Sequence, residues 1–346
     1  MIIIRPPPIK LDHLKTLTDD TGILQHTKYS VPNRKEGYTT DDNARALVAC
    51  VKLLQLHDDP DVSKLANTYL SFLFHMQRPD GKFHNLLGYD RDFIDDVGSE
   101  DCMGRSLWAC GYAIRSDLSE GIKTTSKEIF DKVFQHASNF KSPRAKAFTI
   151  LGLSNYYEAF PHDRNLFKSI VSSTEQMLES YQRVSSPDWC WFEPYLTYVN
   201  ARLSQALFKA YGIIGDSRYL QVAKESLDFL IEVQMIDEKI VPIGNRGWYE
   251  KGGRRAIYDQ QPIEVSCMVE ASLTAFHSTN EKKYQKAAHI AFEWFLGKNT
   301  KNIVVYDSTT GASYDGINPQ GLNLNQGAEA TISYLLARLE LENMRK

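Results

Sequence analysis

The feature that most constrains the fold of this chain is a loose repeat of about 50 residues. Each unit holds an amphipathic helix, a long polar and aromatic loop, and a second helix, and six units can be traced through the 346 residues. Apolar residues recur at helical spacing, as in Leu220, Ala223, Leu227 and Leu230, and such a stripe must pack on another helix. Alternating β patterns are short and confined to connections such as 239–243. The chain is therefore predicted to be all-α.

Six helical hairpins in one chain close most simply into an (α/α)6 toroid, whose inner helices all point the same way. The predicted inner helices begin near Asp42, Asp101, Arg144, Thr197, Glu264 and Gly327. The predicted outer helices are 63–77, 125–140, 164–183, 217–234 and 281–296. Either the last inner helix or the N-terminal segment closes the ring. No Ser/Gly-rich linker divides the chain, so residues 1–346 are predicted to form one domain, with 1–38 as an N-terminal extension packed on the barrel.

Composition excludes several classes of function. The 40 Lys and Arg nearly balance the 43 Asp and Glu, and they form no basic cluster of the kind that binds nucleic acid. No apolar run reaches the roughly 18 residues of a membrane span. The start, Met1–Pro8, lacks the charged region and cleavage site of a signal peptide, and the five cysteines lack CxxC spacing. We therefore expect a cytoplasmic protein with no disulfide framework and neither a membrane nor a nucleic acid as partner.

The loops that precede the inner helices gather at one mouth of such a toroid, and the first polar motif is in residues 38–45 (YTTDDNAR). Thr40 or Asp41 suits the helix N-cap, and acidic side chains favour the positive end of a helix. Capping needs only one such side chain. The residues beyond that need, which indicate the wall of a pocket, are Asp42, Asn43 and Arg45.

The second motif is in residues 95–105 (DDVGSEDCMGR). Four carboxylates within seven positions repel one another unless a cation, a sugar or water compensates, so their proton affinities are expected to differ, as acid and base roles require. A solvated acidic loop is the alternative. Gly104 permits the close approach of a backbone or a ligand. The candidates here are Glu100, Asp101 and Arg105.

The third and most specific motif is in residues 187–202 (PDWCWFEPYLTYVNAR). Indole faces bind the apolar face of a pyranose ring, while carboxylates and amides bind its hydroxyl groups. Packing in the core explains one tryptophan, but it does not explain the polar residues between the aromatic ones. Trp189 or Trp191 is therefore expected to stack on a sugar. The polar candidates are Glu193, Tyr198, Asn200 and Arg202.

The last two motifs are in residues 258–264 (YDQQPIE) and 321–329 (GLNLNQGAE). Amide-rich loops recognise hydroxyl groups, although they also cap helices and form Asx turns. Helix capping is also the alternative role of Glu264 in residues 258–264. The candidates are Gln261, Glu264, Asn325, Gln326 and Glu329.

Arginines closely follow four of the predicted inner-helix starts: Arg45, Arg105, Arg144 and Arg202. They are expected to hold carboxylates by forked hydrogen bonds, although a phosphorylated or uronic substrate would use them differently. The carboxylates expected around one shared cavity are Asp42, Asp101, Glu193, Glu264 and Glu329.

Other catalytic machinery is missing from the sequence. It contains no GxGxxG or GxxxxGK[ST] phosphate-binding loop, no HExxH, and no GxSxG in a strand-turn-helix setting. The nine histidines lie mostly outside the predicted inner-helix starts. The sequence therefore predicts neither a metal site nor a cofactor.

Five segments together resemble a family of bacterial α/α-toroid proteins associated with glycosyltransferases. They are GYTTDDNARAL at 37–47, SEDCMGRSLWACG at 99–111, WCWFEPYLTYVNARLSQAL at 189–207, DQQPIEVSC at 259–267 and NLNQGAEATISYL at 323–335. The family is similar in layout to α/α-barrel glycosidases and sugar 2-epimerases. The resemblance spans about residues 15–340 and implies the toroid fold, a connection to carbohydrates and association with other carbohydrate-processing enzymes. The chain departs from the epimerases, which use histidines in the pocket, because none of its motifs contains one.

The first functional hypothesis is an intracellular glycoside hydrolase that acts on a short neutral oligosaccharide through a pair of carboxylates. The catalytic candidates are Asp42, Asp101, Glu193 and Glu264. Glu193 is the preferred acid, because Trp191, Phe192 and Pro194 would remove water from its carboxyl group and favour the protonated form. A sugar epimerase or isomerase on the same scaffold, and a sugar-binding subunit without catalysis, are the alternatives.

Overall fold

The structure is a computed structural model that describes residues 6–344. Residues 1–5, which begin the segment without signal-peptide features, lie outside the described residues. None of the helices between residues 6 and 344 is both long enough and apolar enough to cross a membrane. The helices are α1 (Asp12–Leu17), α2 (Thr40–Leu54), α3 (Pro60–Met76), α4 (Glu100–Arg115), α5 (Glu120–Phe134), α6 (Pro143–Ala159), α7 (Arg164–Val184), α8 (Ala201–Ile214), α9 (Ser217–Gln234), α10 (Pro262–Thr279), α11 (Lys282–Glu293) and α12 (Ala328–Asn343), with a 3-10 turn at Ala137–Asn139.

The inner helices are α2, α4, α6, α8, α10 and α12. Each packs against the next, and α12 packs against α2, so the ring is closed. Helices α3, α5, α7, α9 and α11 lie outside this ring, while the short α1 packs on α12 in the remaining outer position. This arrangement confirms the predicted (α/α)6 toroid. The N-terminal segment and the last inner helix both take part in closing it.

Most predicted helix starts lie within two residues of the observed ones; α3, α5 and α8 differ by three to five residues. The start of α8 has a local cause. Helix α8 begins at Ala201 rather than near Thr197, because Asn200 folds the preceding residues into a turn. The Asn200 side chain accepts a hydrogen bond from the Thr197 N–H at 3.0 Å and donates to the Thr197 carbonyl at 2.7 Å. Helix α5 also begins five residues before the predicted 125–140 segment.

The N-cap of α2 is Thr39, not the expected Thr40 or Asp41. The Thr39 hydroxyl accepts a hydrogen bond from the Asp42 N–H at 3.0 Å. Ser99 and Ser142 cap α4 and α6 in the same way. Because a hydroxyl satisfies the first turn, the carboxylates of Asp41 and Asp42 are not used as caps.

The two mouths of the barrel differ in the length of their connections. Long loops precede the inner helices and contain short antiparallel strand pairs. Two of these pairs join different loops, Tyr38–Thr39 with Leu86–Leu87 and Tyr195–Leu196 with Tyr249–Glu250. At the opposite end the connections are short, such as residues 215–216 and 280–281. The strands are β1 (Thr27–Lys28), β2 (Val31–Pro32), β3 (Tyr38–Thr39), β4 (Leu86–Leu87), β5 (Tyr195–Leu196), β6 (Met235–Ile236), β7 (Lys239–Ile240), β8 (Tyr249–Glu250), β9 (Tyr306–Asp307), β10 (Ala312–Ser313), β11 (Gly316–Asn318) and β12 (Gly321–Asn323).

Glycines bring α4 and α6 into close contact. A Cβ at Gly104 would lie 2.9 Å from the Ala145 backbone, so the close approach expected at this glycine is that of a neighbouring helix. Two turns further along α4, a Cβ at Gly111 would collide with the backbone of Gly152. Neither neighbour is the flexible end of a side chain, so the helices themselves would have to separate.

We predict that Gly111→Ala lowers the free energy of unfolding by about 1–3 kcal/mol, the typical cost of overpacking. Gly121→Ala is the matched control, because a Cβ there meets nothing within 4 Å in the exposed helix α5, and alanine stabilises a helix relative to glycine. Denaturant unfolding measures both. Equal stability of Gly111→Ala and the unmodified protein would contradict the close contact.

Candidate active site

A cavity of about 410 Å³ opens at the mouth where the inner helices begin. The first turns of α2 and α12 and the start of α10 form its wall, together with loop residues from distant parts of the chain. The inner helices direct their positive ends toward this mouth, which favours negative groups there. The polar residues that line the cavity are Gln25, His26, Thr39, Asp41, Asp42, Arg45, Asn85, Gln261, Asp315, Asn323 and Glu329.

Asp42 is a buried carboxyl group that is incompletely paired. Its side chain is 3% exposed, and Oδ2 accepts a hydrogen bond from the Thr39 hydroxyl at 2.7 Å. Oδ1 lies 3.6 Å from the Arg45 guanidinium and, among the atoms of residues 6–344, has no hydrogen-bond partner. Burial raises the pKa of Asp42, and Glu329 and Asp41 raise it further against the opposing effects of Arg45 and Thr39. This environment favours a neutral carboxylic acid facing the cavity.

Asp41, the adjacent residue, has a different environment. Its Oδ1 accepts a hydrogen bond at 3.0 Å from Arg105, which belongs to α4. Burial alone would lower the pKa of Arg105, but Asp41, Asp101 and Glu329 together raise it. Arg105 is therefore a firmly charged group near three carboxylates, and it forms a charge-assisted hydrogen bond with Asp41.

Arg45 joins α2 to α12. Its Nη1 donates to Glu329 at 2.6 Å, and the Glu329 side chain is 41% exposed. Asp42 and Glu329 thus share the cavity, as expected from the sequence. With Arg144–Glu193 and Arg202–Glu270, each of the four arginines contacts a carboxylate, but through one donor nitrogen rather than through the expected forked pair of hydrogen bonds.

Asp101 was expected around the same cavity, but it lies outside the residues that line it, because both of its oxygens bond to neighbouring side chains. The hydroxyl groups of Ser142 and Tyr198 donate to its two oxygens at 2.6 and 2.7 Å. Burial and the nearby Asp101 raise the pKa of Tyr198 to about 12, so the phenol remains a donor. Asp101 therefore ties α4 to the start of α6 and to the loop before α8.

The acidic motif 95–105 does not form one acidic site. Asp95 accepts hydrogen bonds from the N–H groups of Asn85 and Leu86, and Glu100 accepts from the N–H groups of Lys141 and Ser142. Each carboxylate has found separate donors, which removes the repulsion expected from the sequence.

Glu193, the preferred acid in the sequence, does not line this cavity, and the structure corrects that expectation. Arg144 donates a hydrogen bond to it at 2.8 Å, in a buried ion pair. Glu193 contributes instead to a separate cavity of about 530 Å³ between α6 and α7. The sequence around Glu193 shows its apolar neighbours. It does not show Arg144, which lies in α6 and is distant in sequence.

Glu264 lies below the mouth and positions the loop before α8. Its two oxygens accept hydrogen bonds from the Val199 N–H and from the Asn200 side chain, the latter at 2.9 Å. Burial raises the pKa of Glu264 to about 7, although these two donors oppose the shift. It lies outside the residues that line the 410 Å³ cavity.

Trp189 and Trp191 are core residues, contrary to the expected stacking on a sugar. They are 2% and 0% exposed. Trp189 packs edge-on against Phe229 and Tyr249, with ring centroids 5.3 and 5.2 Å away. Because protein atoms cover both indole rings, neither ring can contact a ligand.

The other predicted binding residues divide between the cavity and the scaffold. Gln261 lines the cavity. Asn43 is fully buried and bonds the Thr39 carbonyl and the Ile23 N–H. The residues whose contacts serve the scaffold in this structure are Asn43, Glu100, Asn200, Arg202, Asn325 and Gln326.

His26 and Asp315 line the cavity without having been expected from the sequence. Burial raises the pKa of Asp315, with His26 opposing the shift and Glu329 adding to it, so these three groups interact. Both new residues come from loops without helical periodicity, and no local pattern marks them. Over residues 6–344, His, Cys, Asp and Glu side chains form no group of three suited to hold a metal ion.

Comparison with known proteins supports the fold. No protein-family model matches the chain, and no curated protein matches its sequence. The cellobiose 2-epimerase of Bacillus thermoamylovorans is similar in structure, with a TM-score of 0.76 and 13% identity over 97% of this chain and 96% of that chain. A D-mannose isomerase has a TM-score of 0.72 and 15% identity, over 96% and 94% of the two chains.

Glycosidases share the same fold. A glycoside hydrolase family 76 α-mannanase from Bacteroides thetaiotaomicron has a TM-score of 0.68 and 12% identity, over 96% of this chain and 93% of that one. At such identities the similarity is one of fold, an α/α toroid found in both sugar epimerases and glycosidases. The expected association with glycosyltransferases has no counterpart in these likenesses and stays a prediction.

We predict that Glu264 makes stability depend on pH. Because its pKa is raised from 4.5 to about 7, the folded protein keeps a proton that the unfolded chain has released between these values. The free energy of unfolding should therefore fall as pH rises from about 4.5 to about 7, by on the order of 3 kcal/mol. Urea unfolding of Glu264→Gln should lack this decline. Parallel pH profiles for the two proteins would contradict the prediction.

Proposed function

We propose that this chain is a carbohydrate-active enzyme, a glycoside hydrolase that acts on a short neutral oligosaccharide. One observation carries the proposal: a buried, incompletely paired acid, Asp42, is adjacent to an arginine-bound carboxylate, Asp41, in a single cavity. Glycoside hydrolysis needs one carboxylic acid and one carboxylate at the scissile bond. The assignment therefore differs from the sequence-based preference for Glu193.

In this proposal Asp42 gives its proton to the glycosidic oxygen as the bond to the anomeric carbon breaks. Asp41 either takes a proton from the attacking water or attacks the anomeric carbon itself. Arg105 forms an ion pair with Asp41, and the Arg45–Glu329 pair closes the wall beside Asp42. The stereochemistry of the product distinguishes the two roles of Asp41.

The other lining residues favour a neutral sugar. Gln25, Asn85, Gln261 and Asn323 bring amides to the cavity, and amides donate to and accept from hydroxyl groups. The arginines there already bind carboxylates, so an anionic substrate would have to displace these pairs. The similar structures include a cellobiose 2-epimerase and an α-1,6-mannanase, which makes cellobiose, α-1,6-mannobiose and their longer homologues the first substrates to test.

We predict that Asp42→Asn reduces kcat by about 10²–10⁴-fold, because an amide cannot deliver the proton. Binding should persist, since the amide keeps the shape and can still accept from Thr39. Asp58→Asn, at an exposed carboxylate, is the control. New reducing ends and product masses report the turnover. Nearly full activity in Asp42→Asn, with loss in Asp101→Asn or Glu193→Gln, would return the acid role to the second or third motif.

A sugar epimerase or isomerase is the second candidate, and His26 in the cavity favours it, since such chemistry needs a base that removes a proton beside a carbonyl. Epimerisation leaves the mass unchanged and makes no new reducing end.

We predict that His26→Gln keeps hydrolysis within a few-fold of the unmodified protein. A change of sugar configuration that His26→Gln abolishes would support the epimerase instead. Binding without any turnover would indicate the sugar-binding subunit.

A further inference from the structure

A second and larger cavity lies at the opposite mouth of the barrel, where the inner helices end. Its volume is about 930 Å³, and each of the inner helices contributes to its wall. The short connections at this end, such as 215–216 and 280–281, leave it open. None of the motif residues that line the 410 Å³ cavity belongs to it.

The floor of this cavity is a buried network of paired charges. Lys52 forms ion pairs with Glu340 and, at 3.4 Å, with Glu270. Arg202 also pairs with Glu270 and donates to Gln205 at 2.6 Å. Glu270 has a lowered pKa, because Arg202 and Lys52 outweigh its burial. The charges at the floor therefore satisfy one another and do not call for an ionic ligand.

The rim is balanced in the same way. Arg115 pairs with Glu158 at 2.8 Å, and Lys209 lies 3.8 Å from the same carboxylate. The converging helix C-termini add partial negative charge, which disfavours an anion, while the acidic side chains already bind cations. The site is thus suited to a neutral ligand.

Aromatic and amide groups complete the lining. Tyr157 and Tyr211 are half-buried at the rim, while Tyr112 lies deeper with the Lys52 ammonium 5.2 Å from its ring centre. The Gln205 amide donates to the Thr274 hydroxyl at 3.1 Å, and that hydroxyl donates to the Glu270 carbonyl at 2.8 Å. One N–H of the Gln205 amide and one lone pair on each side-chain oxygen remain for a ligand. Aromatic faces beside amides and hydroxyls suit an uncharged, polyhydroxylated ring.

We propose that this C-terminal mouth is a second saccharide-binding site, for a neutral sugar or one end of an oligosaccharide. The two sites lie at opposite ends of the barrel, so a sugar bound here is remote from Asp42. The inference stands on the lining of this cavity alone. It holds whether the N-terminal mouth hydrolyses its ligand, epimerises it or only binds it.

The test is a calorimetric titration of the full chain with cellobiose and with α-1,6-mannobiose, in the Asp42→Asn background so that turnover does not consume the ligand. Tyr211→Ala should weaken one binding event about tenfold, the effect of losing one aromatic contact of about 1.4 kcal/mol. Tyr211→Phe should preserve that event, because it keeps the ring. Phe74→Ala, at an exposed aromatic on α3, is the control.

Tyr157→Ala provides an independent second variant, and thermal melting confirms that each variant is folded. Tyr211→Ala in the otherwise unmodified chain should leave turnover at the N-terminal mouth unchanged. A titration that neither Tyr211→Ala nor Tyr157→Ala alters would overturn the second site. So would the absence of saturable binding of either disaccharide. If the unmodified protein hydrolyses neither disaccharide, that result counts against the proposed hydrolase and not against this second site.

Discussion

Ion pairs that link the inner helices to one another, and to a loop at the N-terminal mouth, are the interactions on which the rest of this structure depends. A charge inside the barrel is costly to remove from water, and deleting one partner of such a pair typically costs about 3–5 kcal/mol. The pairs therefore fix how the inner helices face each other, in addition to the apolar packing on the outer ring. They are Arg45–Glu329, Arg105–Asp41, Arg144–Glu193, Arg202–Glu270 and Lys52–Glu270.

The same pairing produces the chemistry at the N-terminal mouth. Arg105 and Arg45 are engaged by Asp41 and Glu329, so Asp42 is left with one hydroxyl donor and a guanidinium too distant for a hydrogen bond. Two consecutive carboxyl groups thereby acquire different environments: that of Asp42 favours the neutral acid, while Asp41 accepts a hydrogen bond from Arg105. Because a threonine hydroxyl caps the helix, neither carboxyl group is consumed by the backbone.

Helical periodicity, capping residues and the repeat were enough to predict the toroid, its helix order and the mouth that holds the polar motifs. Asp42, Arg45, Gln261 and Glu329 were correctly placed at that mouth, because each begins an inner helix. The aromatic side chains of residues 187–202 were wrongly expected to face a ligand, since a loop without periodicity does not show which side chains are buried. Pairing between segments distant in sequence, as between Arg144 and Glu193, depends on tertiary contacts that the local sequence does not contain. For the same reason, the sequence did not indicate that His26 and Asp315 line the cavity.

The central claim is that Asp42 is a neutral acid facing the cavity, and infrared difference spectroscopy tests it most directly. Spectra of the unmodified protein and Asp42→Asn are compared at neutral pH, with Glu264→Gln as a reference for another buried carboxyl group whose pKa is raised. The account predicts that Asp42→Asn removes a carbonyl band of a protonated carboxylic acid. Loss of a carboxylate band in its place would contradict it.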